Sequence, residues 1–186
     1  YQGIDRWRGQ VPSNLDAHTM SIGEPSYRGA VHIHFAYNLA QITLGRPFLL
    51  LKLRDTNVSS ELDENVSSFA TKMVLYSYNA ASEIVEILVK LKANNLPSCY
   101  SFNDYNACHG ASFVLVIYLA LYPSTEALQR LNEAVSILQQ ISQSCKYTQK
   151  NTDVILNLTN TVQQGQAYQR WFHRAVLGIG DPTVPD

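Results

Sequence analysis

The sequence predicts an all-α fold, a single multi-helix domain built around a central apolar helix at about residues 107–122. Apolar residues recur at steps of three and four along several segments, which is the period of an α-helix. Residues 107–122 contain no charged side chain, a composition typical of a helix that is buried on all sides. No segment alternates apolar and polar residues for the length of a strand, and the chain has no Asn-Gly or Asp-Gly hairpin pair.

The composition supports one globular domain and argues against DNA binding by this chain. The 186 residues are 46% hydrophobic, which is enough for a substantial core and excludes a disordered chain. Only 16% are charged, against about 25% in typical domains, so we expect a surface of uncharged polar residues or burial against a partner. The 14 Lys and Arg balance 15 Asp and Glu and form no basic cluster, so we expect no DNA contact by this chain.

The residue pattern divides the chain into three parts. Residues 1–25, interrupted by Gly and Pro, predict an irregular connecting segment with at most a short helix near residues 13–20. Residues 26–177 predict the helical domain, and residues 178–186 predict a tail. Because the chain begins at Tyr1 rather than Met and ends in a Pro-containing tail, we expect it to be a piece of a longer protein.

Two long helices are expected first. One follows residue 26, and Pro47 should end or kink it near Gly45 and Arg46, because proline lacks an N–H and disfavours a helical residue before it. After a polar loop, acidic residues in the first turn and an apolar stripe predict a second helix over residues 61–94.

The central helix and its successors follow. At 16 residues, the segment 107–122 is shorter than the roughly 20 residues of a membrane span, so we expect it in a protein core. The sequence Pro-Ser-Thr-Glu at 123–126 predicts the start of a fourth helix, and a fifth is expected over residues 146–164. A short last helix over residues 166–177 would hold Trp171 and Phe172.

The cysteines indicate the redox environment. Cys99, Cys108 and Cys145 are odd in number and widely spaced, which favours reduced thiols in an intracellular protein over a disulfide framework. Cys108 lies in the apolar segment and is expected in the core.

The histidines do not predict a metal site. His32 and His34 are two residues apart, so on one helix they point away from each other, whereas helical metal sites use spacings of three or four. His18 and His173 stand alone in the sequence. We therefore expect no metal and no other cofactor in this chain.

The sequence also lacks signs of catalysis. Glu83 and Glu86, with Lys90 four residues beyond Glu86, are typical of a solvated helix face. No nucleophile elbow, zinc-protease motif or phosphate-binding loop occurs, so we expect that the chain is not an enzyme.

A polar strip on the first long helix is the candidate ligand site. His34, Asn38 and Gln41 recur at four and three residues, with Tyr37 beside them. One interpretation is a strip facing solvent. The other is a cleft lined by hydrogen-bonding groups next to an apolar wall, which is how small molecules are bound between helices. The sequence leaves both open.

Four segments in order carry a family pattern. Residues 7–15 read WRGQVPSNL, and residues 44–49 read LGRPFL, which contains Arg46, Pro47 and Phe48. The pair Ala80-Ala81 then precedes spaced aliphatics, Gly110 lies in the small-residue segment HGASFVL, and an amphipathic segment at 131–138 precedes Cys145. Together these segments resemble the regulatory domain, or middle homology region, of fungal transcription factors with a binuclear zinc cluster.

The resemblance implies what the chain does. It implies an all-helical regulatory domain of a nuclear transcription factor that responds to a small-molecule effector or restrains activation. In that family DNA is bound by an N-terminal six-cysteine zinc cluster, which the three scattered cysteines here cannot form, so DNA contact and zinc are expected only outside this chain. Its partners would be the rest of the factor, co-regulator proteins and a second copy of the chain.

Two alternatives from other classes remain. The chain could be a helical scaffold or dimerisation module without a ligand, or an unrecognised small-molecule-binding helical enzyme. Sequence preceding Tyr1 would separate them best, because a six-cysteine cluster there would identify the transcription factor.

Overall fold

The computed structural model describes residues 2–55, 64–94, 100–143 and 146–164. It confirms an all-α fold, with no strand among these residues. The elements are a 3₁₀ turn at Ser13–Leu15 and the helices α1 (Gln2–Arg8), α2 (Tyr27–Asp55), α3 (Glu64–Ala93), α4 (Phe102–Leu121), α5 (Thr125–Gln143) and α6 (Lys146–Gln163). None of the helices in the described ranges has both the length and the apolar character needed to cross a membrane.

Helix α4 is the central apolar helix, and it packs against α2, α3, α5 and α6. It begins at Phe102 rather than at residue 107, because Ser101 and Asp104 form a capping box. The Ser101 hydroxyl accepts from the Asp104 N–H (3.3 Å), and the Asp104 carboxylate accepts from the Ser101 N–H (2.6 Å). Cys108 lies in the core as expected, where burial raises the pKa of its thiol to about 12.

Helices α2 and α3 run antiparallel along most of their length. His34 contacts Glu83, Phe48 packs edge-to-face on Phe69, and Lys52 donates to Ser67. Residue numbers that increase along α2 thus pair with residue numbers that decrease along α3. This pairing fixes which side chains of the two helices face each other.

Pro47 was expected to end or kink the first long helix near Gly45 and Arg46, and the expected end is wrong. Helix α2 continues through Pro47 to Asp55. Proline removes one intrahelical hydrogen bond, but burial of Leu49 and the ring contact of Phe48 hold the following turns in place. Arg46 therefore does not cap a helix end, and its guanidinium lies 5.7 Å from the centre of the Phe113 ring.

The N-terminal residues contain α1 and the 3₁₀ turn, and the short helix expected near residues 13–20 is limited to that turn. Ala17 from this segment is buried in the core. The expected helix at 166–177, the tail at 178–186, Cys99 and Cys145 lie outside the described residues.

Small residues mark where helices approach most closely. A Cβ on Gly45 of α2 would overlap the Ser77 hydroxyl of α3 and lie 3.2 Å from the Met73 carbonyl oxygen. Gly110 of α4 has its close neighbour on α2, where Leu39 would lie 3.0 Å from an added Cβ, and not on the buried Ala80-Ala81 pair.

We predict that Gly45→Ala destabilises the domain by about 1–3 kcal/mol, because the methyl group has no space against Ser77. Gly29→Ala is the matched control on α2, since no atom lies within 4 Å of its Cβ position, and it should be neutral or stabilising by up to about 1 kcal/mol. Urea unfolding measures both. Equal stability of the two variants would mean that α2 and α3 are not in close contact at this point.

Candidate functional site

Five polar side chains meet where the N-terminal segment covers α2 and α3, and we call them the Glu83 cluster. They are Arg8 of α1, Asp16 and His18 of the segment after the 3₁₀ turn, His34 of α2 and Glu83 of α3. The cluster therefore joins three parts of the chain that are far apart in sequence.

The Glu83 carboxylate is the centre of this cluster. Its Oε1 accepts from Arg8 Nη2, His18 Nε2 and His34 Nδ1, each at 3.2 Å. Glu83 was expected on a solvated helix face, and that interpretation is wrong, because its side chain is only 20% exposed. Glu86 does match the expectation, since its exposed carboxylate pairs with Lys90 at 3.0 Å.

The surroundings keep Glu83 ionised. Burial alone would raise the pKa of its carboxyl, but hydrogen bonds from His34 and His18 and the charge of Arg8 outweigh burial and lower the pKa to about 2. The carboxylate is therefore a fixed negative charge at any physiological pH.

The hydrogen bonds of His34 determine which ring nitrogen carries its proton. The Ala17 N–H donates to Nε2 of His34 at 3.3 Å, so Nε2 acts as an acceptor and Nδ1 donates to Glu83. The Oδ1 of Asp16 also lies 3.3 Å from this Nε2 and accepts from the His18 N–H at 3.0 Å.

The predicted polar strip is buried, so its interpretation as a solvent-facing strip is wrong. His34 and Tyr37 are 7% and 6% exposed, Asn38 is 0% and Gln41 is 8%. Gln41 donates to the Tyr37 hydroxyl at 2.6 Å. The Asn38 amide lies close enough to Glu83 to help lower the pKa of that carboxyl, although neither of its polar atoms makes a hydrogen bond of standard geometry.

A pocket of about 110 Å³ lies between α1, the 3₁₀ turn and α2. His34 and Tyr37 line it, whereas Asn38 and Gln41 do not. The ring of Trp7 stacks on Tyr37 with centroids 6.3 Å apart, and the Arg8 guanidinium lies 4.7 Å from the centre of the Tyr37 ring. The structure thus brings together half of the predicted strip and adds an aromatic and cationic wall.

Sequence reasoning missed most of this site. Trp7, Arg8 and Asp16 lie in the segment interpreted as a connection, and His18 was interpreted as standing alone. No sequence spacing joins these residues to Glu83, because the contacts span up to 75 positions. The opposite directions expected for His32 and His34 are observed, since His32 lies near Ser101 and Asp104 instead.

Comparison with known proteins gives one informative relative. The chain is 25% identical over 182 residues to a protein of Schizosaccharomyces pombe named an uncharacterized transcriptional regulatory protein. The alignment covers 90% of this chain but 22% of the relative, so the chain spans about a fifth of that protein's length. No protein-family model matches the chain, and no solved structure gives a significant match.

We predict that Glu83→Gln lowers the free energy of unfolding at neutral pH by about 1.5–3 kcal/mol, the range for hydrogen bonds to a charged group. The pKa of this carboxyl is lower in the folded chain than its ordinary value of 4.5, so its stabilisation is complete above about pH 4.5 and is lost as pH falls towards 2. The difference between wild type and variant should therefore shrink on acidification.

Glu86→Gln is the matched control, three residues along the same helix. Its exposed pair with Lys90 should contribute less than about 0.5 kcal/mol. Urea unfolding at a series of pH values measures all three proteins. A Glu83→Gln effect that stays constant from neutral pH to about pH 3 would contradict the role given to the carboxylate.

Proposed function

We propose that the chain is the helical regulatory domain of a fungal transcription factor with a binuclear zinc cluster. The observation that carries this proposal is the alignment of nearly the whole chain with a protein named as a transcriptional regulator. On this proposal the domain acts in the nucleus, is not an enzyme, and controls transcription through the rest of the factor and its co-regulators.

The motifs that resemble the middle homology region occupy defined places in the fold, which supports the proposal. The segment 7–15 packs beside α2, with Trp7 stacked on Tyr37. The Arg46-Pro47-Phe48 motif lies where α2 approaches α3 and α4, since Phe48 contacts Phe69 and Arg46 lies over Phe113. The motif thus serves packing between helices.

The proposal places DNA contact outside this chain. Within the described residues, several cations are already paired with carboxylates and so do not form a surface for phosphate. These pairs are Arg8–Glu83, Arg28–Asp104, Lys90–Glu86 and Arg130–Glu133.

The pocket beside Tyr37 is the proposed point of entry for an effector. Its volume of about 110 Å³ suits a group of a few heavy atoms, since cavities of about 150 Å³ bind benzene. Trp7, which is 45% exposed, forms the outer wall, so α1 would have to move for a larger molecule. Movement of α1 would also break the contact of Arg8 with Glu83, which gives an effector a way to change the domain.

We predict that the isolated chain selects no sequence from a pool of randomised duplex DNA at about 150 mM salt, because its Lys and Arg form no cluster in the sequence. The same chain fused to a sequence-specific DNA-binding domain is the positive control and should enrich that domain's site. Enrichment of a defined sequence by the isolated chain would overturn the assignment of DNA contact to another part of the factor.

We predict that an effector found by thermal-shift screening of metabolites stabilises the wild type by about 2.7 kcal/mol at a hundredfold excess over Kd. Trp7→Ala should abolish this gain, because the indole forms a wall of the pocket. Phe102→Ala is the control: it removes a more exposed aromatic ring outside the pocket, and the effector should stabilise this variant as much as wild type.

The outcomes of this screen separate the alternatives. Hits that stabilise Trp7→Ala as much as wild type would place the effector elsewhere. A screen without hits would favour the scaffold or dimerisation module.

A further inference from the structure

Two hydrogen-bond acceptors face each other inside the Glu83 cluster. The contacts of His34 with Glu83 and with the Ala17 N–H fit a proton on Nδ1 and a lone pair on Nε2. The Asp16 Oδ1 is 3.3 Å from that nitrogen. An imidazole nitrogen and a carboxylate oxygen at this distance attract each other when they share a cation, which is either a proton or a metal ion.

A third donor atom completes the arrangement. One ligand atom each from Asp16, His18 and His34 lies within 4.8 Å of the other two. Two imidazoles and a carboxylate form a ligand set that Zn²⁺ uses in sites with an open fourth position. Ligands about 2.0–2.1 Å from a tetrahedral Zn²⁺ are roughly 3.3–3.4 Å apart. The Asp16–His34 separation of 3.3 Å has this length.

We propose that Asp16, His18 and His34 form a three-ligand site for Zn²⁺, and that Glu83 positions both histidines. Histidines that bind a metal commonly donate their other N–H to a carboxylate, which fixes the ring and its tautomer. Glu83 Oε1 accepts from both rings, at Nε2 of His18 and Nδ1 of His34. If both bonds are kept, the nitrogens left for the metal are Nδ1 of His18 and Nε2 of His34.

The negative charge of the cluster and the solvent exposure of two of its ligands are consistent with a cation site. Asp16 and Glu83 supply two negative charges against the single positive charge of Arg8, so the cluster attracts a cation. The side chains of Asp16 and His18 are 41% and 30% exposed, which leaves a path from solvent. The Ala17 N–H would lose its acceptor on His34, so metal binding requires a small shift of the turn at residues 17–19.

The sequence-based expectation of no metal considered only spacings along one helix. The fold brings His34 of α2 to two residues of the N-terminal segment, and no such spacing reveals this contact. The proposed site is independent of the proposed function, because it requires only these ligands. If occupied, it would fasten residues 16–18 to α2 beside the pocket.

Titration of the full 186-residue chain with Zn²⁺ by calorimetry tests the site. We expect one equivalent per chain, with affinity at least tenfold lower in His18→Ala and in Asp16→Asn. Glu83→Gln should lower the affinity about 10–100-fold, as loss of an outer carboxylate does. His32→Ala is the matched control, a similarly exposed histidine of α2 outside the cluster, and should bind like wild type.

Because His18 and Asp16 are partly exposed, we expect their variants to fold. The unfolding midpoint of each variant without metal checks this. Co²⁺ serves as a second probe, and nitrogen and oxygen ligands should give visible bands without an intense sulfur-to-cobalt band. Failure of wild type to bind one equivalent, binding unchanged in His18→Ala and Asp16→Asn, or a sulfur-to-cobalt band would each overturn the proposal.

Discussion

The partly buried carboxylate of Glu83 holds the N-terminal segment on the helical body. Glu83 receives Arg8 from α1, His18 from the following segment and His34 from α2 on one oxygen. Partial burial raises the pKa of this carboxyl, but the donors lower it further, and each donor comes from a different part of the chain. Loss of any one donor would weaken the fit of the N-terminal segment, so the pocket beside Tyr37 depends on the same charge.

The position of that carboxylate depends in turn on helix packing. Gly45 lets α2 approach α3 at Ser77, and the antiparallel pairing continues from there to His34 and Glu83. A bulkier residue at Gly45 would clash with Ser77 and push the two helices apart at that point. After Asp104 in its first turn, α4 carries no Asp, Glu, Lys or Arg, so no charged group from the rest of this helix competes for Glu83. Apolar packing thus sets the geometry of the polar cluster.

Local sequence signals were sufficient for the fold, whereas the site required the tertiary structure. The helical period and the charge-free segment predicted the all-α fold and the central helix, because burial imposes a pattern on neighbouring residues. The helix end expected at Pro47 is not found, because tertiary contacts of the next two residues, Phe48 and Leu49, hold α2 in helical form beyond the proline. The prediction that Glu83 lies on a solvated helix face was wrong for a related reason. Its sequence neighbours resemble a solvated face, and only the distant segment at residues 8–18 covers it.

The side-chain amide of Asn38, next to the Glu83 cluster, is buried without good hydrogen bonds. It is fully buried one turn after His34, and neither polar atom makes a hydrogen bond of standard geometry. Such a group costs about 1–3 kcal/mol, more than the typical gain from one neutral hydrogen bond. The dipole of the amide recovers part of this through Glu83, whose charge it helps to stabilise. Any change that removes the charge of Glu83 therefore also removes what stabilises the Asn38 amide, so the polar cluster and this turn of α2 depend on each other.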